Sequence, residues 1–141
     1  MPDATAATST GSDAAGAQRT LRCGVVGTGR MGRHHVRKYA SLSGSELVGV
    51  VDENAERRAA MVEEFGCPAF ETEEQLIEAG VDAVSIAVPT TFHLKCARPL
   101  LNAGVACLIE KPLANTVEEA SELAALARST GATLMVGHIE R

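Results

Sequence analysis

Short, almost unbroken apolar runs alternate along this chain with longer amphipathic segments. Leu21, Cys23, Val25 and Val26 make the first run, which ends in glycines, and similar runs recur at residues 47–51, 81–88, 105–109 and 133–136. Runs that are apolar throughout, rather than at every second position, belong to parallel strands covered on both faces. Segments of helical period lie between them, at about 31–41, 54–65, 72–79, 92–102 and 116–129. Asn54 stands where the second of these needs an N-cap, and its Ala59, Met61, Val62 and Phe65 are expected on one buried side. Thr72-x-x-Gln75 and Thr116-x-x-Glu119 read as capping boxes, and Gly104 and Gly131 follow the last periodic residues of their helices. Pro89 stops a strand, with Thr90 or Thr91 placed to cap the helix behind it. Strict alternation of strand and helix, joined by right-handed crossovers, predicts an α/β protein: one doubly wound parallel sheet with helices on both faces.

Composition narrows the function. The 141 residues are 45% hydrophobic and 22% charged, with three Phe, one Tyr and no Trp. The core is therefore aliphatic, and base stacking on aromatic platforms is excluded as a binding mode. A net charge of −5 removes the basic footprint that a nucleic-acid partner requires. No apolar run approaches the roughly 20 residues of a membrane span. Cys23, Cys67, Cys96 and Cys107 form no C-x-x-C pair, and His34, His35, His93 and His138 add no metal spacing, so no metal is expected. The cysteines read as buried thiols in a reducing compartment, the alternative being a regulatory or metal role. Residues 1–17 are small and polar and lack the basic and apolar regions of a signal peptide. A disordered tail over 1–19, a single domain over 20–141 and a cytoplasmic location are the expectations.

The sharpest chemical signal is Gly27-Thr28-Gly29-Arg30-Met31-Gly32, between a predicted strand and a predicted helix. In that context G-x-G-x-x-G is the dinucleotide-binding fingerprint of a Rossmann-type fold. Gly27 allows a tight turn, Gly29 lets the backbone approach a pyrophosphate, and Gly32 lets the helix pack closely on the strand. The helix N-terminus then offers free N–H groups to the phosphates. Asp52 ends the next strand, twenty residues after Gly32, where an acid can accept hydrogen bonds from both adenosine ribose hydroxyls and repels a 2′-phosphate. This favours NAD; Arg57 and Arg58 keep NADP open, unless they lie on a solvated helix face with partners such as Glu53.

Two later strand ends add candidates. Val88 runs into Pro89, Thr90 and then His93, which is expected in the first turn of a helix near the cofactor's ribose and nicotinamide, or else as an exposed or capping histidine. The following strand ends in Glu110-Lys111-Pro112. The Lys111 ammonium could stabilise negative charge on a substrate oxygen during hydride transfer.

Taken together, these residues resemble the glucose–fructose oxidoreductase/inositol dehydrogenase/MocA family over essentially all of residues 21–141. The resemblance implies an NAD(P)-dependent oxidoreductase acting on a secondary alcohol of a sugar, cyclitol or nucleotide sugar. It makes Lys111 the catalytic lysine. Gly27, Thr28, Gly29, Arg30, Met31, Gly32, Asp52, Pro89, Thr90, His93 and Glu110 become cofactor-binding positions. His35, a position where many members carry histidine, reads as structural, and a cis Lys111–Pro112 bond is expected. The Gly137-His138-Ile139-Glu140-Arg141 ending departs from the Asn and Gln of several members and is like a subgroup that includes nucleotide-sugar dehydrogenases. Members continue into an α+β half that supplies the proton acceptor, and 141 residues leave no room for it. A truncated or split form that binds NAD, turns over poorly alone and associates with a missing C-terminal half is the leading expectation. The alternatives are a stand-alone NAD-binding sensor or pseudoenzyme module and, more remotely, a glycine-loop methyltransferase.

Overall fold

The structure is a computed structural model and describes residues 19–137. The expected tail, apart from Arg19, and the 138–141 ending lie outside the described residues. Six strands are found: β1 (Leu21–Val26), β2 (Ser45–Val51), β3 (Ala69–Phe70), β4 (Ala83–Ile86), β5 (Ala106–Glu110) and β6 (Leu134–Gly137). Five helices join them: α1 (Arg30–Ser41), α2 (Ala55–Phe65), α3 (Glu73–Glu78), α4 (His93–Asn102) and α5 (Val117–Thr130). All strand pairs are parallel, in the order β3-β2-β1-β4-β5-β6. The order reverses between β1 and β4, which opens a crevice at their carboxyl ends.

Alternate residues of β1 and β2 serve two aliphatic layers, while β4 and β5 feed the larger one. Val26, Val51, Val84, Ile86, Cys107 and Ile109 face Leu76 of α3, Leu100 and Leu101 of α4, and Leu123 of α5. Val25 and Val50 face the other way, onto Val36 of α1 and Met61 of α2. No helix among the described residues is long and apolar enough to cross a membrane.

Local signals act largely as their chemistry dictates. The Asn54 side chain accepts from Arg57 N–H, Thr72 and Gln75 form a complete capping box, and Gly131 ends α5 in the left-handed region at φ 77°. Three details differ. Thr116 accepts from Glu119 N–H at 3.1 Å, but the Glu119 carboxylate turns to Asn115 N–H at 3.3 Å, one residue outside the cap. In α2 only Met61 and Phe65, one turn apart, face inward; Val62 is 48% exposed and Ala59 is also exposed. Neither Thr90 nor Thr91 caps α4: a 3₁₀ turn at Thr90–Phe92 precedes it, with Phe92 N–H donating to Pro89 O at 2.9 Å. Proline's fixed φ suits the start of such a turn, and the turn itself uses the N–H that a threonine cap would have taken. Strand β3, at two residues, is too short to show a pattern.

Leu123 is fully buried whereas Val117, in the same helix, is 77% exposed. Leu123→Ala is expected to lower urea-unfolding stability by about 2–5 kcal/mol, while Val117→Ser should stay within about 0.5 kcal/mol of wild type. Equal losses would show that α5 is not packed by this face.

Candidate functional site: the crevice between β1 and β4

After β1 the chain turns sharply at Gly27, whose φ is 91°, and Gly27 N–H donates to Val51 O at 2.8 Å. A Cβ at Gly27 would stand 2.8 Å from Ala87 O, so the turn lies flush against the end of β4. A Cβ at Gly32 would come within 1.7 Å of Gly27 O; α1 therefore begins in direct contact with the turn. Gly29 is different in kind. Its backbone is extended, open to any residue, and the nearest atom to a Cβ there is Arg57 Nη1 at 3.9 Å. Nothing in the protein requires glycine at 29; a ligand close to the backbone would. The first helical bond runs from Arg33 N–H to Gly29 O at 2.9 Å, and α1 has no side-chain cap and no acid in its first turn. The first-turn N–H groups of Arg30, Met31 and Gly32 are free to meet an anion.

Asp52, at the end of β2, is buried but borders the same crevice. Its Oδ2 accepts from Thr28 N–H at 2.9 Å and from the Thr28 hydroxyl at 2.7 Å, and its Oδ1 accepts from Asn54 N–H at 2.9 Å. Burial opposes ionisation, but these donors and the Arg57 charge, 3.9 Å from Oδ2, outweigh it and hold the carboxyl below the usual carboxylate range. Arg57 thus faces Asp52 rather than the expected partner Glu53. Arg58 donates to the main-chain oxygens of Asp52 at 2.8 Å and Glu53 at 3.0 Å, and its other amino group lies 3.4 Å from Glu71. The crevice encloses about 890 Å³. Gly27, Gly29, Asp52 and Pro89 line it, Arg30 and Met31 are exposed at the start of α1, and Thr28 is buried behind Asp52. The far wall was not foreseen: Glu71, Glu73 and Glu74 on one side, Phe92, Lys95 and Cys96 on the other. The acids follow β3, which left no trace in the sequence pattern. Phe92, 46% exposed in a chain with three phenylalanines, was the one available hint.

The remaining predicted residues stand outside the crevice lining. His93 begins α4, as expected, but is 1% exposed, with Nδ1 and Nε2 each 3.0 Å from the carbonyl oxygens of Leu113 and Val88. Both ring nitrogens lie beside main-chain oxygens, so the buried side chain packs between the end of β4 and the loop after β5. Thr90 lies in the 3₁₀ turn. Glu110 ends β5 with Oε2 2.5 Å from His35 Nε2, a largely buried pair joining α1 to this strand end. Lys111 follows, exposed, and its bond to Pro112 is cis as expected. All four cysteines are free and buried, and burial pushes the Cys96 and Cys107 thiols up to about 12. At neutral pH these two are protonated and unreactive. Among the described residues no group of three or more His, Cys, Asp or Glu gathers to hold a metal.

Sheet order, glycine turn and acid at the end of β2 together define a dinucleotide-binding Rossmann domain. Comparison with known proteins goes further: the oxidoreductase family described by its NAD-binding Rossmann fold matches residues 21–138, and the chain belongs to that family. A UDP-N-acetylglucosamine 3-dehydrogenase from Acidithiobacillus ferrooxidans is 47% identical over 86% of this chain and 38% of its own length. The rhizopine catabolism protein MocA of Rhizobium meliloti is 38% identical over the same shares. The solved structure of the Acidithiobacillus enzyme superposes with a TM-score of 0.79 at 46% identity, covering 84% of this chain and 37% of that one. The chain thus spans under two fifths of the relatives it matches. Membership removes the methyltransferase alternative and fixes the cofactor class as NAD(P), which the crevice fits: a glycine whose absent side chain would stand in open space, free helix N–H groups and an ionised acid beyond them.

Gly29→Ala and Gly32→Ala separate ligand from packing. Gly32→Ala should destabilise the fold by about 3 kcal/mol in urea unfolding. Gly29→Ala should unfold like wild type yet weaken NADH, read by fluorescence titration, by about tenfold or more, roughly 1.4 kcal/mol. Unchanged NADH affinity in Gly29→Ala would show that no phosphate approaches residue 29.

Proposed function

We propose that this chain holds NAD for hydride transfer to or from a secondary alcohol of a sugar, cyclitol or nucleotide sugar, with a nucleotide sugar first among them. The glycine-29 gap carries the cofactor part of this reading. The substrate class rests on the 47% identity to a nucleotide-sugar dehydrogenase. When bound, the nicotinamide supplies the hydride acceptor. Gly27, Gly29 and the start of α1 take the pyrophosphate, Asp52 the adenosine ribose, and Pro89 closes the crevice beside it. Lys111 is assigned the catalytic contact, its ammonium stabilising the negative charge that builds on the substrate oxygen during hydride transfer. A non-catalytic sensor has no use for an ammonium at this strand end, which argues for the dehydrogenase.

The charges around the ribose support NAD over NADP. Asp52, Glu53, Glu71, Glu73 and Glu74 border the crevice against Arg57 and Lys95, while Arg58 is held on main-chain oxygens. A 2′-phosphate entering here meets net negative charge. NADH is expected to bind at least about tenfold more tightly than NADPH, and Asp52→Ala should narrow that gap. Tighter NADPH binding by wild type would reverse the assignment. Lys111→Ala is expected to leave the NADH dissociation constant within about twofold while removing alcohol-dependent NADH formation in a complete form that carries the C-terminal half. Turnover retained by that variant would take Lys111 out of the mechanism.

A further inference from the structure

The hydrogen bonds around Asp52 limit what it can offer a ribose. An ionised carboxylate has about four acceptor positions, two on each oxygen. Oδ2 has both filled, by the N–H and the hydroxyl of Thr28, and Oδ1 has one filled, by Asn54 N–H. One position remains, on Oδ1. Thr28 is only 3% exposed and is not among the residues lining the crevice, so its hydroxyl serves Asp52 and does not face the ligand directly. The side chain of an otherwise unconstrained position in the glycine loop is thereby committed to the acid at the end of the neighbouring strand. The two elements that meet the cofactor, the turn after β1 and the end of β2, are joined by this one side chain in addition to main-chain bonds.

We infer that Thr28 is a positioning residue that sets nucleotide specificity: its hydroxyl locks Asp52 so that the carboxylate grips one ribose hydroxyl through Oδ1 and keeps its charge turned against a 2′-phosphate. The inference rests on the reading of the crevice as an NAD site and adds to it how the ribose is read. Without the Thr28 hydroxyl, Oδ2 is released from its shortest bond, and the Arg57 guanidinium, 3.9 Å away, is the nearest cation to draw it. A carboxylate drawn to Arg57 guards the 2′ position less closely.

The test uses the 141-residue chain and fluorescence titration with NADH and NADPH. Thr28→Val keeps the shape and removes the donor; Thr28→Ser restores it. Thr28→Val is expected to raise the NADH dissociation constant about tenfold and that of NADPH less than about threefold, with Thr28→Ser within about twofold of wild type for both. Both constants unchanged in Thr28→Val, or both raised by the same factor, would overturn the inference, since a purely structural role weakens the two ligands alike. Should Thr28→Val not fold, wild type decides the matter through displacement of NADH by NAD analogues lacking the adenosine 2′- or 3′-hydroxyl. A one-oxygen grip costs one analogue about tenfold more affinity than the other; equal losses mean that Asp52 holds both hydroxyls. Failure of wild type to bind NADH at all would instead overturn the cofactor assignment itself.

Discussion

The absence of a side chain at position 32 is the constraint on which the site depends. With a Cβ only 1.7 Å from Gly27 O, any other residue would push α1 off the turn. Because the contact is allowed, the helix starts directly above the end of β1, and its free N–H groups open into the crevice where the strand order reverses. The same turn rests on Ala87 and Val88 and is tied to Val51 by a main-chain bond, so its position is set by both neighbouring strands. The free N–H groups at the start of α1 are therefore a consequence of close packing in the sheet.

Two other contacts extend that rigidity to the strand ends on the far side. His35, one turn and more into α1, reaches Glu110 at the end of β5, and His93 bridges the end of β4 to Leu113. Lys111 lies between the residues these histidines hold. Its own side chain is exposed, but the main chain on either side of it is held, by Glu110 before it and by Leu113 after it. In the proposed reading, this fixed main chain keeps the ammonium at the strand end while its stem adjusts to a substrate oxygen.

How much of this was legible depends on whether the signal was local. The apolar runs, the glycine spacing, the Asn54 and Thr72 caps and the acid at the end of β2 are short-range, and each was found where its chemistry put it. Signals that depend on distant partners were misplaced. A histidine at a helix start was expected near the cofactor, or exposed or capping; it is instead buried, with its ring beside two carbonyls, one of them twenty residues away. Arg57 was given Glu53 as partner because four residues on a helix bring side chains together, yet Asp52, buried and ionised, is the stronger attractor. The acidic wall of the crevice follows a two-residue strand, and no periodicity can announce an element of that length.

The residues divide by task along the sheet. Those from β1, β2 and β3 line or back the crevice: the glycine turn, Thr28 with Asp52, and the carboxylates after β3. Those at the ends of β4 and β5 fix a lysine. In the proposed reading binding and chemistry draw largely on different strand ends, and α1 joins them: its N-terminus opens into the crevice and its His35 pairs with Glu110. Strands of a parallel sheet are good carriers for such a division, because adjacent ends lie about 5 Å apart and each can change its last residues without disturbing the next. A family built on this plan can hold one cofactor in a constant way while altering what is presented beyond Lys111, and relatives matching this chain include dehydrogenases of both a nucleotide sugar and inositols.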